Sequence, residues 1–310
     1  MRIIFLGTPA FAVPTFEHVL SAGHVVLEVV TQPDRPKGRG QQFAASPVKE
    51  AALRAGLPVY QPERIRRPEA VEHLRGLAAD AMVVVGYGQI IPQSIIDMPR
   101  YGILNVHASL LPKYRGAAPV QWSIVNGETR TGVTTMQIDA GLDTGDILLH
   151  AETGIGMEET SVELASRLSS MGAALLVETL AGLEGGTIAP RKQDDAQATY
   201  APILKKEDGA ISWRAPAAAI HNRVRGLLPW PGAYTSFRGQ TLHIWKTRLA
   251  AGVGAAPGGL RRAGRTLLAS CGEGMLELLE VQQEGKKRIS GEAFANGQRL
   301  VDNESFGDLS

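Results

Sequence analysis

An amide and an imidazole stand two positions apart in the chain, as Asn105 and His107. The apolar pair Ile103-Leu104 directly before them predicts a short buried strand. Successive side chains of a strand point to opposite faces, so Asn105 and His107 share one face while Val106 points to the other. A proline- and glycine-containing loop follows. We therefore expect both polar side chains at the carboxyl end of a strand, where open α/β sheets bind ligands.

Two hydrogen-bond donors that converge on one point can stabilise the oxyanion that forms during acyl transfer. A carboxylate is the usual partner that orients such an imidazole and favours its protonated form. Asp143 is the candidate, because it lies in the acidic, glycine-rich loop 139–146, directly after the strand-like run Val133–Ile138. An isolated Asn-x-His pair is more often a capping group or a polar group in a core than a site, so the spacing alone favours the structural interpretation.

The complete pattern is longer than this pair. It is Asn-x-His-x-Ser-Leu-Leu-Pro-x-Tyr-Arg-Gly from Asn105, followed by Asp-x-Gly-x-Asp-Thr-Gly from Asp139. This combination resembles the folate-dependent formyltransferases. The resemblance implies that the catalytic set is Asn105, His107 and Asp143, and that the folate site is lined by Ser109, Leu110, Leu111 and Pro112.

Composition limits the class of protein. A chain of 310 residues with 44% hydrophobic residues is long enough for two domains with real cores. The one cysteine, Cys271, allows no disulfide within the chain and no cysteine-rich metal site, so we expect no metal and a reducing compartment. The chain starts on a strand-like run, and no apolar run of about 18 residues follows. We therefore expect a cytoplasmic protein without a membrane segment.

Charge is unevenly distributed along the chain. The net charge is +1 overall, but −4 over residues 1–188 and +5 over residues 189–310. Residues 209–272 contain nine Lys and Arg and no Asp or Glu. Such a field attracts a polyanion, although a solvated basic surface without a partner is also common.

Strands and helices alternate over the first part of the chain, which predicts a doubly wound, mostly parallel sheet of the Rossmann-like type. The turn after the first strand, Gly7-Thr8-Pro9, lacks the G-x-G-x-x-G glycines, so no nicotinamide cofactor is expected. Ser46-Pro47 predicts a capped helix start. The turn 86–92 also follows a strand. The resemblance implies that it holds the pterin near Tyr87 and Gln89, and an ordinary turn fits equally well.

The later part of the chain changes character. Gly, Pro, Gln and Asp are frequent over residues 185–204. We therefore interpret residues 190–207 as a linker between a catalytic domain, 1–189, and a second domain, 208–310. The second domain combines one helix, Pro216–Arg225, with about five short strands separated by turns. This pattern predicts a small β-barrel of the OB-like type, a fold that binds nucleic acid through basic and aromatic surfaces.

A basic loop, residues 32–42, carries two prolines, two glycines and the cations Lys37 and Arg39. By itself it is either a solvated connector or a phosphate contact. It also resembles a loop of the methionyl-tRNA formyltransferases, as does the stretch 224–234, and the resemblance covers most of the chain. It implies that Lys37 and Arg39 contact tRNA.

The resemblance implies transfer of a formyl group from 10-formyltetrahydrofolate, as co-substrate, to the α-amine of methionyl initiator tRNA for translation initiation, by an enzyme that we expect to be a monomer. Three alternatives stay open at this point. One is formylation of a small amine, and another is hydrolysis of the formyl folate. The last is an RNA-binding module on a catalytically silent sheet.

Overall fold

The computed structural model describes residues 1–37, 42–252, 254–301 and 304–307. Contacts within the chain divide it into two compact units. The first comprises Met1–Gly116, Thr131–Thr153 and Ala165–Tyr200, and the second comprises Ala117–Arg130, Gly154–Leu164 and Ala201–Ser310. The domain boundaries expected from composition, 1–189, 190–207 and 208–310, stay a prediction.

Among the described residues, ten strands lie before residue 155. They are β1 Arg2–Gly7, β2 Val25–Val30, β3 Arg35–Lys37, β4 Gln42–Ala44, β5 Val59–Tyr60, β6 Ala81–Val85, β7 Ile103–His107, β8 Arg115–Gly116, β9 Arg130–Gln137 and β10 Ile147–Gly154. Seven of these strands form the central sheet, in the order β10-β9-β7-β6-β1-β2-β5. The neighbouring strands β7, β6, β1, β2 and β5 are all paired in parallel, and β9 runs antiparallel to β7.

Both faces of the central sheet are buried, as β1 illustrates. Ile3 and Phe5 belong to one apolar cluster, and Ile4 and Leu6 belong to another. All four are fully buried. Because side chains alternate along a strand, this near-continuous apolar run is what a strand covered on both faces requires.

The described residues form eight α-helices and three short 3₁₀ helices. The α-helices are α1 Val13–Ser21, α2 Pro47–Arg54, α3 Pro68–Gly76, α4 Gln93–Ile96, α5 Pro119–Val125, α6 Ser161–Glu184, α7 Ala217–Gly226 and α8 Gly291–Gln298, and the 3₁₀ helices are Ala10–Ala12, Asp195–Gln197 and Lys206–Gly209. The predicted start of α2 is confirmed, since the Ser46 hydroxyl accepts a hydrogen bond from the Lys49 amide at 3.0 Å.

The order of connections reverses between β1 and β6, which lie side by side although four strands separate them in sequence. Ligands of open α/β sheets bind outside the carboxyl ends of the strands at such a point. Here the loop after β1 and the loop after β6 lie close together. Thr8 Oγ1 donates to the carbonyl oxygen of Tyr87 at 3.0 Å. Gly86 has φ +58°, and a Cβ there would lie 2.9 Å from Pro9 Cγ.

The second unit contains an antiparallel sheet. The strands from residue 200 onward are β11 Tyr200–Ala201, β12 Ala233–Phe237, β13 Gln240–Ala250, β14 Leu260–Ala263, β15 Thr266–Ser270, β16 Met275–Gln283 and β17 Ile289–Ser290. Five of them follow the order β12-β13-β16-β15-β14, and β17 pairs with β16. Trp213 is buried in the core of this unit and stacks on Phe306 with ring centroids 4.9 Å apart.

The predicted fold class is confirmed at this level, as a mostly parallel sheet followed by a domain of antiparallel strands. Closure of the second sheet into an OB-like barrel stays a prediction. Cys271 is buried, and burial raises the pKa of its thiol to about 11, which agrees with the interpretation of this residue as a small apolar one. In the described parts of the chain, no helix is both long and apolar enough to cross a membrane.

Candidate active site

His107 is the last residue of β7 and is buried. Its Nε2 lies 2.9 Å from the carbonyl oxygen of Tyr114. A carbonyl oxygen only accepts, so Nε2 carries a hydrogen and donates it. The other ring nitrogen, Nδ1, lies 3.6 Å from Oδ2 of Asp143. This distance exceeds that of a hydrogen bond, but it is short enough for a carboxylate to stabilise a positive charge on the ring.

Asp143 belongs to the loop that joins β9 to β10. Its Oδ2 accepts a hydrogen bond from the amide of Gly116 at 2.8 Å, and its side chain is 17% exposed. The backbone of Asp143 has φ +52°, a left-handed conformation that is uncommon for a residue other than glycine. The loop is tight, because a Cβ at Gly145 would overlap the carbonyl oxygen of Gln137.

Asn105 occupies the same face of β7 as His107, as the alternation of a strand requires. It pairs in register with Met136 of the antiparallel β9 and with Val84 of the parallel β6. Its side chain is half-buried, and among the described residues none forms a hydrogen bond with its amide. The amide is therefore free to donate to a bound molecule.

A cavity of about 400 Å³ opens beside this group at the carboxyl end of β6. Asp143 is one of the residues that line it, and the same residue lies beside His107. Most of the other walls are apolar side chains or backbone, and the full lining is Val84, Tyr87, Gly88, Gln89, Ile90, Ile91, Met136, Ile138, Asp139, Ala140, Gly141, Leu142 and Asp143. A few polar groups in a mostly apolar cleft are typical of a site for a flat organic ligand.

Tyr87 and Gln89 line this cavity, and they differ in how their polar groups are bound. The buried phenol hydroxyl of Tyr87 has no hydrogen-bond partner among the described residues, whereas the Gln89 amide is bound by the protein. Gln89 accepts from the Ile65 amide at 2.8 Å and donates to the Pro62 carbonyl oxygen at 3.1 Å. Burial raises the pKa of the Tyr87 phenol well above its usual range, so this group stays neutral. Gln89 therefore offers a ligand mainly shape, while the neutral Tyr87 hydroxyl is a polar group without a partner.

The four residues predicted to line the folate site do not line this cavity. Ser109 is buried, and its hydroxyl donates to the carbonyl oxygen of Lys113 at 2.6 Å. The Leu111 amide donates to Thr134 Oγ1 at 3.2 Å, and that hydroxyl donates to the Ser109 carbonyl oxygen. This segment, including Leu110 and Pro112, shapes the chain between His107 and Gly116. Its assignment to the folate site stays a prediction.

The basic loop is only partly described. Lys37 is the last residue of β3 and pairs in register with Gln42 of β4. Arg39 lies outside the described residues. The basic span 209–272 is partly neutralised by carboxylates from outside it. Within the described residues, at least three of its nine cations form ion pairs, among them Arg238–Glu304, Arg248–Glu277 and Arg265–Glu292. Lys37 and Arg39 as tRNA contacts stay a prediction.

The apolar walls Met136, Ile138 and Leu142 were not singled out from the sequence. Met136 and Ile138 resemble ordinary core residues of a strand, and only their place at its end, before the Asp139 loop, distinguishes them. Leu142 has a clearer signal, because it is an apolar residue within a polar loop and is 61% exposed. Within the described residues, no cluster of three or more His, Cys, Asp or Glu is arranged to hold a metal ion.

Comparison with known families accounts for this arrangement. Residues 1–180 match the sequence model of the family described as "Formyl transferase". Residues 203–299 match the model described as "Formyl transferase, C-terminal domain". A central parallel sheet, an Asn-His-Asp group at its edge and an adjoining cavity lie within the first match. The chain belongs to the formyl transferase family.

Within that family, the chain belongs with the methionyl-tRNA formyltransferases. It is 70% identical over 309 residues to the methionyl-tRNA formyltransferase of Solibacter usitatus, and the alignment covers 99% of each chain. It is 57% identical over 312 residues to the methionyl-tRNA formyltransferase of Koribacter versatilis, and this alignment covers 100% of each chain.

Two solved structures share the fold at 19% sequence identity. One is an N-formyltransferase from Helicobacter canadensis in complex with folinic acid and dTDP-3-aminofucose, with a TM-score of 0.67 over 91% of this chain and 99% of the other. The other is WlaRD, a sugar 3N-formyl transferase in the presence of dTDP and 5-N-formyl-THF, with a TM-score of 0.68 over 93% and 99%. Both of those proteins were crystallised with a folate derivative.

Proposed function

We propose that the protein transfers the formyl group of 10-formyltetrahydrofolate to the α-amine of methionine on initiator tRNA. The observation that carries this proposal is the position of Asp143. This residue lines the cavity, and its Oδ2 lies 3.6 Å from His107 Nδ1. A donor bound in the cavity would present its formyl group to Asn105, His107 and Asp143. The full-length relatives named methionyl-tRNA formyltransferases support the choice of acceptor.

The proposed reaction begins with attack of the neutral amine on the formyl carbon. A C–N bond forms, and the formyl oxygen becomes an oxyanion in a tetrahedral intermediate. Asn105 donates to this oxygen through its side-chain amide. Protonated His107 donates through Nδ1, because its Nε2 already donates to the carbonyl oxygen of Tyr114. Fixed donors aimed at a developing charge lower the barrier without reorganisation during the reaction.

The attacking amine must lose a proton, and the folate nitrogen must gain one as its bond to the formyl carbon breaks. Asp143 is the base closest to this path in our proposal, and it relays the proton, through a water molecule, from the amine to the leaving nitrogen. Its second oxygen is free to do so, since Oδ2 is the atom that Gly116 binds. No metal enters these steps.

The donor's pterin ring would occupy the cavity, with its flat face against apolar walls such as Met136 and Ile138. Ile90 is 90% exposed and Leu142 is 61% exposed at the rim, so both can cover a bound ring. Ser109, Leu110, Leu111 and Pro112 are retained in the proposal as further folate contacts. Lys37 and Arg39 are retained as contacts to tRNA phosphates.

One assay tests the proposal. The protein is incubated with 10-formyltetrahydrofolate and either methionyl initiator tRNA or methionyl elongator tRNA, with donor-free controls. We expect donor-dependent formylation of the initiator tRNA and little of the elongator tRNA. Release of formate without an acceptor, or formylation of small amines only, would contradict the proposal and favour a hydrolase or a small-amine transferase. The full-length relatives do not favour these alternatives.

A further inference from the structure

Part of the stretch interpreted as a linker packs on the proposed catalytic loop. Gln193 lies 50 positions after Asp143, and its Nε2 donates to the carbonyl oxygen of Asp143 at 2.8 Å. The same nitrogen donates to the carbonyl oxygen of Gly145 at 2.7 Å. One side-chain amide thus binds the backbone on both sides of Thr144.

The other end of the same amide binds a buried cation. Gln193 Oε1 accepts from Nε of Arg115 at 3.0 Å and from Nη2 at 2.8 Å. Arg115 is 3% exposed, and its Nη2 also pairs with Asp195 Oδ1 at 2.7 Å. The orientation of the Gln193 amide is fixed by chemistry, because carbonyl oxygens only accept and a guanidinium only donates. All four hydrogen-bonding positions of this amide are used.

Arg115 also belongs to the segment that holds the catalytic side chains. The residue before it, Tyr114, supplies the carbonyl bound to His107 Nε2, and the residue after it, Gly116, supplies the amide bound to Asp143 Oδ2. The Arg115 amide itself donates to the carbonyl oxygen of Thr199 at 2.8 Å. Residues 114–116 therefore contact His107, Asp143 and Gln193.

Asp143 needs such external support. Its left-handed backbone is unfavourable for a residue with a Cβ, and conformations of this kind persist where surrounding contacts impose them. Without the two bonds from Gln193, the carbonyls of Asp143 and Gly145 lose protein donors, and the loop can relax away from His107.

We propose that Gln193 is a positioning residue for the transfer reaction. Acting with Arg115, it holds the backbone of Asp143 so that the carboxylate faces both His107 and the bound formyl group. This inference rests on the proposed function for its catalytic consequence. Its geometric content, the restraint of the loop 139–146, does not depend on the reaction.

Gln193→Glu tests the inference with little change of volume. Glutamate keeps the acceptor oxygens for Arg115, but it places an oxygen instead of a donor against the two carbonyls. Gln197→Glu is the matched control, because Gln197 lies four residues later, is exposed, and donates only to Asp194 among the described side chains. Each variant is compared with the wild type in two measurements. One is steady-state kinetics, and the other is hydrogen exchange of peptides that cover residues 114–118 and 139–146.

For Gln193→Glu we expect kcat to fall roughly 10- to 100-fold, because a misplacement of about 1 Å costs this much. KM for the donor and for the tRNA should stay within about twofold, since neither is bound by Gln193. Exchange of both peptides should become faster, while Gln197→Glu matches the wild type in every respect. An unchanged kcat or unchanged exchange in Gln193→Glu overturns the inference.

The proposed function can fail separately. If the wild-type protein does not formylate methionyl-tRNA, the proposed function is wrong, and the exchange comparison alone then decides whether Gln193 restrains the loop. A loss of kcat that accompanies a lower melting temperature and higher KM values for both substrates would indicate general damage to the fold, and it would also overturn a positioning role.

Discussion

The carboxylate of Asp143 lies 3.6 Å from Nδ1 of His107, while the opposite ring nitrogen, Nε2, is bound to a backbone carbonyl. This division assigns the two nitrogens different roles. Nε2 fixes the plane of the ring. In the reaction that we propose, Nδ1 of the protonated ring donates to the formyl oxygen, and Asn105, two residues earlier on the same face, is the second donor.

Asn105 provides a direct test of the oxyanion hypothesis. Asn105→Ala should slow the chemical step roughly 10²- to 10³-fold, because one donor to the oxyanion is lost. Asn105→Asp keeps the size of the side chain and replaces the donor with an acceptor, so it should be at least as slow. Single-turnover formylation measures the step, and filter binding measures the tRNA affinity, which should stay unchanged. A loss of affinity without a slower chemical step would make Asn105 a docking residue.

The exposed apolar residues at the cavity rim allow a test of donor binding. Ile90→Ser combined with Leu142→Ser should raise KM for the formyl donor about tenfold, because a bound ring would lose apolar contact area. The melting temperature should not change, since both side chains are already exposed in the free protein. Val25→Ser is the control, because Val25 is 58% exposed at the amino end of β2. An unchanged KM in the double variant would place the donor elsewhere.

Fold and site differ in how far the sequence predicts them. The alternation along β7 placed Asn105 and His107 on one face, and Ser46 marked the start of α2, because both signals are local. Gln193 could not be found in this way. The composition around residues 190–207 predicts a linker, but composition does not reveal which distant carbonyl groups a side-chain amide will bind. The cavity walls at Met136 and Ile138 were missed for a related reason, since a strand-end apolar residue has the same pattern as a core residue.

His221 should make the second unit less stable in acid. Burial lowers the pKa of its imidazole below the ordinary value of 6.5, and nearby Arg225 acts in the same direction, while Glu158, at 3.7 Å, opposes them. The unfolded chain therefore binds a proton more readily than the folded chain. The stabilising contribution of neutral His221 is complete above pH 6.5 and is lost as the pH falls towards the folded pKa.

His221→Gln should accordingly show a smaller decrease in the free energy of unfolding between about pH 8 and about pH 5 than the wild type. Denaturant unfolding followed by tryptophan fluorescence measures it. All four tryptophans of the chain lie in the second unit, so the signal reports this unit alone. A decrease of the same size in both proteins would show that other groups control the acid sensitivity.

Binding to tRNA should weaken steeply with salt. Cations that contact phosphates release counterions, so the observed association constant should fall by orders of magnitude between about 50 mM and about 200 mM salt. Alanine at both Lys37 and Arg39 should reduce the slope of the log–log plot by about two. Arg54→Ala, at the exposed end of α2, is the control and should leave the slope unchanged. A flat salt dependence in the wild type would contradict a phosphate-binding surface.

The central claim is that Asp143 takes part in formyl transfer, and one pair of substitutions in one loop tests it most directly. Asp143→Asn keeps an oxygen to accept from Gly116 but cannot relay a proton. Asp139→Asn keeps the acceptor for Gly141 and Thr144, and because Asp139 also lines the cavity, the donor is saturating so that a change in donor binding does not enter the rate. In single-turnover assays with the protein saturated by 10-formyltetrahydrofolate, Asp143→Asn should slow transfer to methionyl initiator tRNA roughly 10²- to 10⁴-fold, and Asp139→Asn should stay within about twofold of the wild type. Equal rates in the two variants would contradict the account.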